Sequence, residues 1–423
     1  MSTDRVSCFV SFVVRFDSRA ETRSIQGSGG VRRLVMVLRS FAGWIPCGLV
    51  AVLAMVGSAS TAEVVDSGSK DDVTEAGATL GAVRLGEDGR RFVNVRTGKR
   101  FIAWGFNYDH DDAGRLIEDY WDEAWPTIVE DFGEMKTLGA NVVRVHLQTA
   151  RFMKTPDEVD AKALEQLARL VELAEKTGLY LDITGLGCYH KKDVPAWYDA
   201  LDEAGRWRVQ TRFWEAVAKT CAANDAVFCY DLMNEPILPG KNKETDWLAG
   251  EFGGKHFVQR ISLDLAGRTR EEVARAWVDT LVGAIRKHDP DTLVTVGVIP
   301  WAHVFPNAKP LFYSKEVGRN LDFVSVHFYP KKGEVDKALA ALAVYDVGKP
   351  IVIEECFPLA CGMEDFDAFV DGSRKLADGY VGFYWGKTIE EYEGKTNDMA
   401  AAIMAAWLRY FVAKGPEILD ERP

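Results

Sequence analysis

Two glutamates stand 120 residues apart, each where an apolar, strand-like run ends. Glu235 lies in Asp231-Leu232-Met233-Asn234-Glu235-Pro236, after the run from Ala226 to Tyr230. Glu355 lies in Pro350-Ile351-Val352-Ile353-Glu354-Glu355-Cys356-Phe357. Carboxyl groups at the ends of different strands can face each other across one pocket. Hydrolysis of a glycosidic bond needs that arrangement: one carboxyl protonates the leaving oxygen while the other acts on the anomeric carbon. No Cys/His spacing suggests a zinc site and no glycine loop suggests a phosphate cradle, so the carboxylates carry the chemistry with neither metal nor organic cofactor. Period-2 alternation puts Glu354 on the opposite side of its strand from Glu355, with an outward salt bridge as its expected role.

A scaffold must bring these ends together. Apolar runs and amphipathic helical patterns alternate along the chain. Strands are expected over 101–107, 141–146, 179–183, 227–232, 292–298, 323–327, 350–353 and 381–385. Helical spacing falls between most of them and after the last. The runs are continuously apolar, the mark of a parallel sheet covered on both faces. Eight such strands predict an α/β fold, a closed (β/α)8 TIM barrel, and 83–100 reads as a β-hairpin that opens it. An open doubly wound sheet is the alternative, but Gly105–Tyr108 is no glycine fingerprint. Polar and aromatic residues crowd the C-terminal ends of the strands: Asn107 and Tyr108, Arg144 and His146, Asn234 and Glu235, His327 and Tyr329, Glu355, and Trp385. A barrel builds its active site on that face.

These motifs, in this order, resemble glycoside hydrolase family 5, the cellulase and mannanase family of retaining glycosidases. Asn234-Glu235-Pro236, Asn141-Val142-Val143-Arg144, His327-Phe328-Tyr329, Glu355 and Trp385 carry the resemblance, which spans about Val83 to Phe411. It implies that Glu235 is the acid/base and Glu355 the nucleophile. Arg144 would steady the nucleophile, Asn234 orient a sugar hydroxyl, and Tyr329 donate to Glu355. His327 would order the site, and Trp385 would be the platform beneath the sugar. Two positions depart from the family pattern. Glu354 replaces a small residue, and Thr184 stands where the third strand normally ends in histidine, leaving His146 or His190 to substitute. Tyr108, Trp197 and Trp301, with Trp104, Trp207 and Trp247, are candidate sugar subsites. The long stretch 237–267 is expected to wall the cleft.

The chain has 423 residues, 47% of them hydrophobic, enough for one large domain. Seven Lys/Arg against three Asp/Glu fall in the first 62 residues, leaving 44 basic and 60 acidic residues and a net charge of −16 in the remainder. That acidity disfavours nucleic acid or an anionic membrane as partner and suits a neutral glycan. Residues 1–62 read as a leader and signal peptide, with Arg32, Arg33 and Arg39 before an apolar run and Ser60 and Ala62 at the cleavage site. Met36 is an alternative start. Residues 63–82 read as a spacer and 83–415 as the catalytic barrel. The expected location is secreted or periplasmic, with a retained N-terminal anchor as the alternative. No stable membrane insertion is expected after cleavage, and the protein is expected to be a monomer. Five cysteines would remain, Cys188, Cys221, Cys229, Cys356 and Cys361, and the last two could close a short loop. The expected activity is endo-β-glucanase. Endo-β-1,4-mannanase or exo-β-glycosidase action is the close alternative, and an inactive carbohydrate-binding barrel the alternative of another class.

Overall fold

The computed structural model describes residues 80–420, apart from 109, 110, 112 and 223. The leader, the alternative start and most of the spacer lie outside the described residues. Among the described residues there are fourteen strands, β1 (Val83–Leu85), β2 (Phe92–Asn94), β3 (Arg100–Phe101), β4 (Ala103–Tyr108), β5 (Val142–Gln148), β6 (Tyr180–Gly187), β7 (Val227–Asp231), β8 (Pro236–Ile237), β9 (Gln259–Arg260), β10 (Leu293–Thr295), β11 (Gly297–Val298), β12 (Val324–Phe328), β13 (Ile351–Cys356) and β14 (Gly379–Gly382). Nine of them form one sheet in the order β10-β7-β6-β5-β4-β14-β13-β12-β11. Every pairing in it is parallel. Its two outermost strands, β10 and β11, are halves of a single strand interrupted at Val296. The first half pairs with β7 and the second with β12, so the sheet closes on itself. The expected fifth strand is therefore broken, and the break completes an eight-stranded barrel.

Long helices follow seven of the eight barrel strands: Trp125–Thr137, Ala161–Thr177, Glu203–Cys221, Arg270–Arg286, Val335–Ala343, Met363–Ser373 and Met399–Leu419. Their ends follow local chemistry. Asp160 caps Ala161–Thr177 by accepting from the Lys162 and Ala163 amides, and Gly178 ends it at φ 72°. Thr269 and Glu272 make a reciprocal capping box that starts Arg270–Arg286. After the broken fifth strand only short pieces form, the single turn Trp301–Val304 and a 3-10 turn at Gly318–Asn320. The strands are buried along their whole length, which accounts for their continuous apolar runs.

The N-terminal segment is a three-stranded antiparallel sheet, β1-β2-β3, one strand more than the expected hairpin. It stoppers the end of the barrel at which the strands begin. Phe92 lies edge-on to Phe228 of β7 and to Phe323, each 5.2 Å away between ring centroids. Val83, Phe101, Val142, Tyr180, Leu293, Val352 and Val381 complete this second core. Hydrocarbon therefore fills this end of the barrel, opposite the mouth that carries Glu235 and Glu355. The Phe92→Ala variant should lose about 3–5 kcal/mol of stability in chemical denaturation.

Candidate active site

Arg144, on β5, is fully buried and spends all five of its N–H donors. Nε donates to Thr184 Oγ1 at 2.8 Å. Nη1 donates to Asn107 Oδ1 at 2.9 Å and to Glu355 Oε1 at 2.7 Å. Nη2 donates to Asp231 Oδ2 and to Asn234 Oδ1, both at 2.9 Å. These acceptors come from β4, β6, β7, β13 and the turn after β7, so one guanidinium ties most of the barrel mouth together. Thr184, which replaces the expected histidine, also donates to Asp231 Oδ2 at 2.9 Å.

Glu355 is held at both oxygens, by Arg144 on one and by the Tyr329 hydroxyl on the other at 2.7 Å. Glu235 faces it. One carboxylate oxygen from each, together with a His327 ring nitrogen, lie within 4.8 Å of one another. His327 Nδ1 is 3.0 Å from Glu235 Oε1 and 3.5 Å from Glu355 Oε2. Glu235 has φ 46°, the left-handed region that non-glycine residues seldom occupy. Its amide donates to Gly297 O at 2.9 Å, which holds the turn in that shape. Pro236 continues into β8, not a helix, so Asn234-Glu235-Pro236 is not a helix cap. Burial raises the Glu235 pKa, with the His327 hydrogen bond and charge pulling it down and the Glu355 charge pushing it up again. Burial works against a charged His327, but Glu355, Glu235 and Glu354 outweigh it and lift its pKa to about 10.

Glu354 does not point outward. The β12–β13 register slips between Val326 and His327, and the β13–β14 register slips between Ile353 and Cys356. A bulge of this kind breaks the alternation and turns consecutive side chains to one side. Glu354 is fully buried, 3.4 Å from His327 Nε2 and 3.5 Å from Arg144 Nη2. Asp182, Asp231, Asn107 and Thr184 are also fully buried around Arg144, and sequence reasoning did not single out the two aspartates as functional. The available signal was their type: Asp182 and Asp231 sit inside apolar strand runs, where a charge is costly unless partnered. Gly297 is what lets the cluster close. A Cβ there would lie 2.5 Å from Glu354 Oε2 and 2.8 Å from His327 Nε2.

The other expected residues divide. His146 packs beside the cluster, its Nδ1 2.5 Å from the Tyr189 hydroxyl and its Nε2 3.3 Å from Asn107 Oδ1. His190 instead turns to the Gly254 carbonyl at 3.2 Å, away from Arg144. Asn234 has its oxygen on Arg144 and its amide on Phe257 O at 2.9 Å. Trp385 lies beyond the eighth strand as expected, but it is fully buried against Phe106 and offers no free face. Tyr108 is buried too, its hydroxyl on Asp131, and Trp104 and Trp247 are core. Trp207 donates to the Ile261 carbonyl. Trp197 and Trp301 are half-buried, and Trp301 stacks on the exposed Phe305. Phe383, which sequence reasoning passed over, is half-buried with its ring edge-on to Tyr329. Cys356 and Cys361 are not bridged, and all five described cysteines are free thiols.

Among the described residues, Glu235, His327 and Glu355 form the one trio spaced to share a cation. A cation there would compete with Arg144 and Tyr329, which already occupy the Glu355 oxygens. The donor set is matched to protons.

A family description, cellulase (glycosyl hydrolase family 5), matches residues 110–415. The chain belongs to glycosyl hydrolase family 5. The family comprises hydrolases of glycosidic bonds. No curated protein matches this family 5 chain by direct sequence comparison. Among solved structures it is similar to an exo-β-1,4-mannosidase from Opitutaceae bacterium strain TAV5, with TM-score 0.58 and 16% identity, covering 80% of this chain and 63% of that one. It thus spans less than two thirds of that protein's length. It is also similar to a β-glucanase from Saccharophagus degradans, with TM-score 0.53, 16% identity and coverage of 84% and 98%. The catalytic domain of an endoglucanase from Thermobifida fusca gives TM-score 0.51 and 15% identity, over 79% and 98%. At these identities the likeness is one of fold. No helix among the described residues is long and apolar enough to cross a membrane.

The shifted carboxyls give a pH dependence of stability. Burial raises Glu118 to about 7 and Asp131 to about 6, and burial with the neighbouring Glu354 raises Asp231 to about 6. A raised carboxyl binds its proton more tightly when folded, so its contribution is full below the ordinary pKa and is lost as pH rises through 6 to 7. Glu354 has the opposite sign. Burial is outweighed there by Arg144 and His327, and its pKa falls to about 2, so its contribution is lost on acidification. The melting temperature should therefore peak at roughly pH 5 and fall by roughly pH 8, as scanning fluorimetry across buffers would record.

Proposed function

We propose that this family 5 protein is a retaining β-glycosidase of a glucan or mannan, with Glu355 as nucleophile and Glu235 as acid/base. The observation that carries this reading is the close pairing of two carboxyls in opposite environments. Their facing oxygens lie within 4.8 Å, together with His327. Retaining sites hold their carboxyls ~5–5.5 Å apart, whereas inverting sites leave ~6.5–9.5 Å for a water. Arg144 and Tyr329 donate to the two Glu355 oxygens and fix the carboxylate where an attacking group must stand. Burial favours the protonated form of Glu235. In the first step Glu355 bonds to the anomeric carbon while Glu235 gives its proton to the departing oxygen. In the second, water attacks that carbon and returns a proton to Glu235.

The geometry supports a short site closed at one end, which moves the reading from an open endo-glucanase groove towards exo-action. The aromatics expected to line a long groove are largely core: Tyr108, Trp104, Trp247 and Trp385 are buried. The 237–267 segment is pinned across one flank of the mouth. His256 N donates to Tyr189 O at 2.7 Å, Asn234 reaches Phe257 O, and Lys191 bridges to Asp246 at 2.9 Å. Arg206 stacks over Trp247 at 4.4 Å, holding this segment to the helix after β6.

Product analysis on cellulose, mannan, xylan and short oligosaccharides decides the mode. A single monosaccharide from chain ends is the expected product, and a ladder of oligosaccharides would restore the endo reading. Binding without turnover across the panel would leave a carbohydrate-binding barrel. The roles of the glutamates separate by leaving group. Glu235→Gln should lose about 10²–10⁴-fold in kcat/KM on oligosaccharides but far less on a dinitrophenyl glycoside, which departs without a proton. Glu355→Gln should be impaired on both.

A further inference from the structure

Behind the facing pair lies a second pair of carboxyls, Glu354 and Asp182, for which the glycosidase reaction has assigned no role. Both side chains are fully buried. Both Asp182 oxygens and Glu354 Oε1 find no N–H or O–H donor among their neighbours. They face each other, with Arg144 on β5, Asp231 and the Cys229 thiol on β7, and His327 on β12 as the surrounding titratable or charged groups. Two carboxylates buried together with no donor on these oxygens would repel strongly if both were ionised, so a proton between them is the arrangement that satisfies both. The other Glu354 oxygen lies 3.4 Å from His327 Nε2. On the far side of the same ring, Nδ1 lies 3.0 Å from Glu235 Oε1.

Gly297 gives independent support. Any side chain at 297 would fall between Glu354 Oε2 and His327 Nε2, the two atoms that meet. The break in the fifth strand, the double register slip around β13 and this missing Cβ all serve one contact.

We propose that Glu354 is a positioning residue for the acid's proton: it takes the Nε2–H of His327 while sharing a proton with Asp182, which leaves Nδ1 aimed at Glu235. Once Nε2 is committed to donating, the tautomer is set, and the proton on the Nδ1–Oε1 axis belongs to His327 and Glu235 together. That proton passes to the leaving oxygen as the glycosidic bond breaks, and the attacking water restores it. The upward displacement of both the His327 and Glu235 pKa values accords with a proton held jointly on that axis. The inference rests on the reading of Glu235 as acid/base, and its test is arranged so that the two can fail separately.

The activity arm compares Glu354→Gln with the unmodified protein in the pH dependence of kcat/KM on cellotetraose and mannotetraose. Glutamine keeps the shape but removes the negative charge, so the shared proton leaves more easily. The basic limb should move to lower pH by about one unit. A merely structural role would lower the rate at every pH and leave the limb in place, and that outcome would overturn the proposal. The second arm needs neither turnover nor a variant that folds well. The full sequence has seven histidines, few enough for nitrogen-15 histidine spectra of the unmodified protein, with His327 identified by its loss in His327→Gln. Nε2 should stay protonated from about pH 5 to 9 while only Nδ1 titrates. Loss of the Nε2 proton in that range would sink the proposal even if the enzyme cleaves both tetrasaccharides. If neither is cleaved but Nε2 holds its proton, the proton network stands and the glycosidase reading falls.

Discussion

The structure depends on one buried guanidinium. Arg144 carries a full charge in a place with no solvent access, which is tolerable only because every N–H finds an acceptor and several of those acceptors are anionic. Removing any acceptor leaves a donor unpaired in a low-dielectric interior, and removing Arg144 leaves Glu354, Asp231 and Glu355 without their common counter-charge. Burial alone would lower the Arg144 pKa, but Glu354, Asp231 and Glu355 reverse that and hold it well above the ordinary arginine value. Stability and the geometry of the barrel mouth are therefore coupled here. The forces that keep the barrel mouth together also hold Glu355 still at one oxygen.

Burial sorts the carboxyls of this mouth into different protonation states. Arg144 and His327, 3.5 Å and 3.4 Å away, outweigh burial at Glu354 and hold its pKa down, while burial and the Glu354 charge push that of Asp182 far up. Glu235 and Glu355 differ in their partners: Arg144 and Tyr329 donate to Glu355, and His327 meets Glu235. Identical functional groups take separate roles because their neighbours differ. Environment of this kind is what allows one residue type to serve as either acid or nucleophile.

The barrel supplies that difference in surroundings through its irregularities. A regular eight-stranded sheet would alternate Glu354 and Glu355 between inside and outside. The register slips on both edges of β13 bring both inward. The interruption at Val296 lets the fifth strand pair with a different neighbour on each half, and Gly297 then donates its amide to Asp231 Oδ1 at 2.7 Å. At the opposite end the three-stranded stopper packs apolar side chains against the beginnings of the barrel strands.

Much of this was legible in the amino-acid order. The apolar runs and helix signals located the eight strands and most of the helices, because burial on both faces and 3.6-residue spacing leave local traces. Asn234-Glu235-Pro236, Arg144, His327, Tyr329 and Glu355 could be placed at strand ends for the same reason, and the structure does gather them around one point. What sequence could not reach were quantities that depend on distant partners. Whether Trp385 and Tyr108 present a face or are covered is decided by Phe106 and Asp131, which other elements deliver. The direction of Glu354 follows from a shift in pairing register, and register depends on the neighbouring strands rather than on β13 itself. The broken fifth strand, the added β1 and the unbridged cysteines belong to the same class. Periodicity is a property of one segment, but which atoms meet across the barrel is set only when all eight strands close.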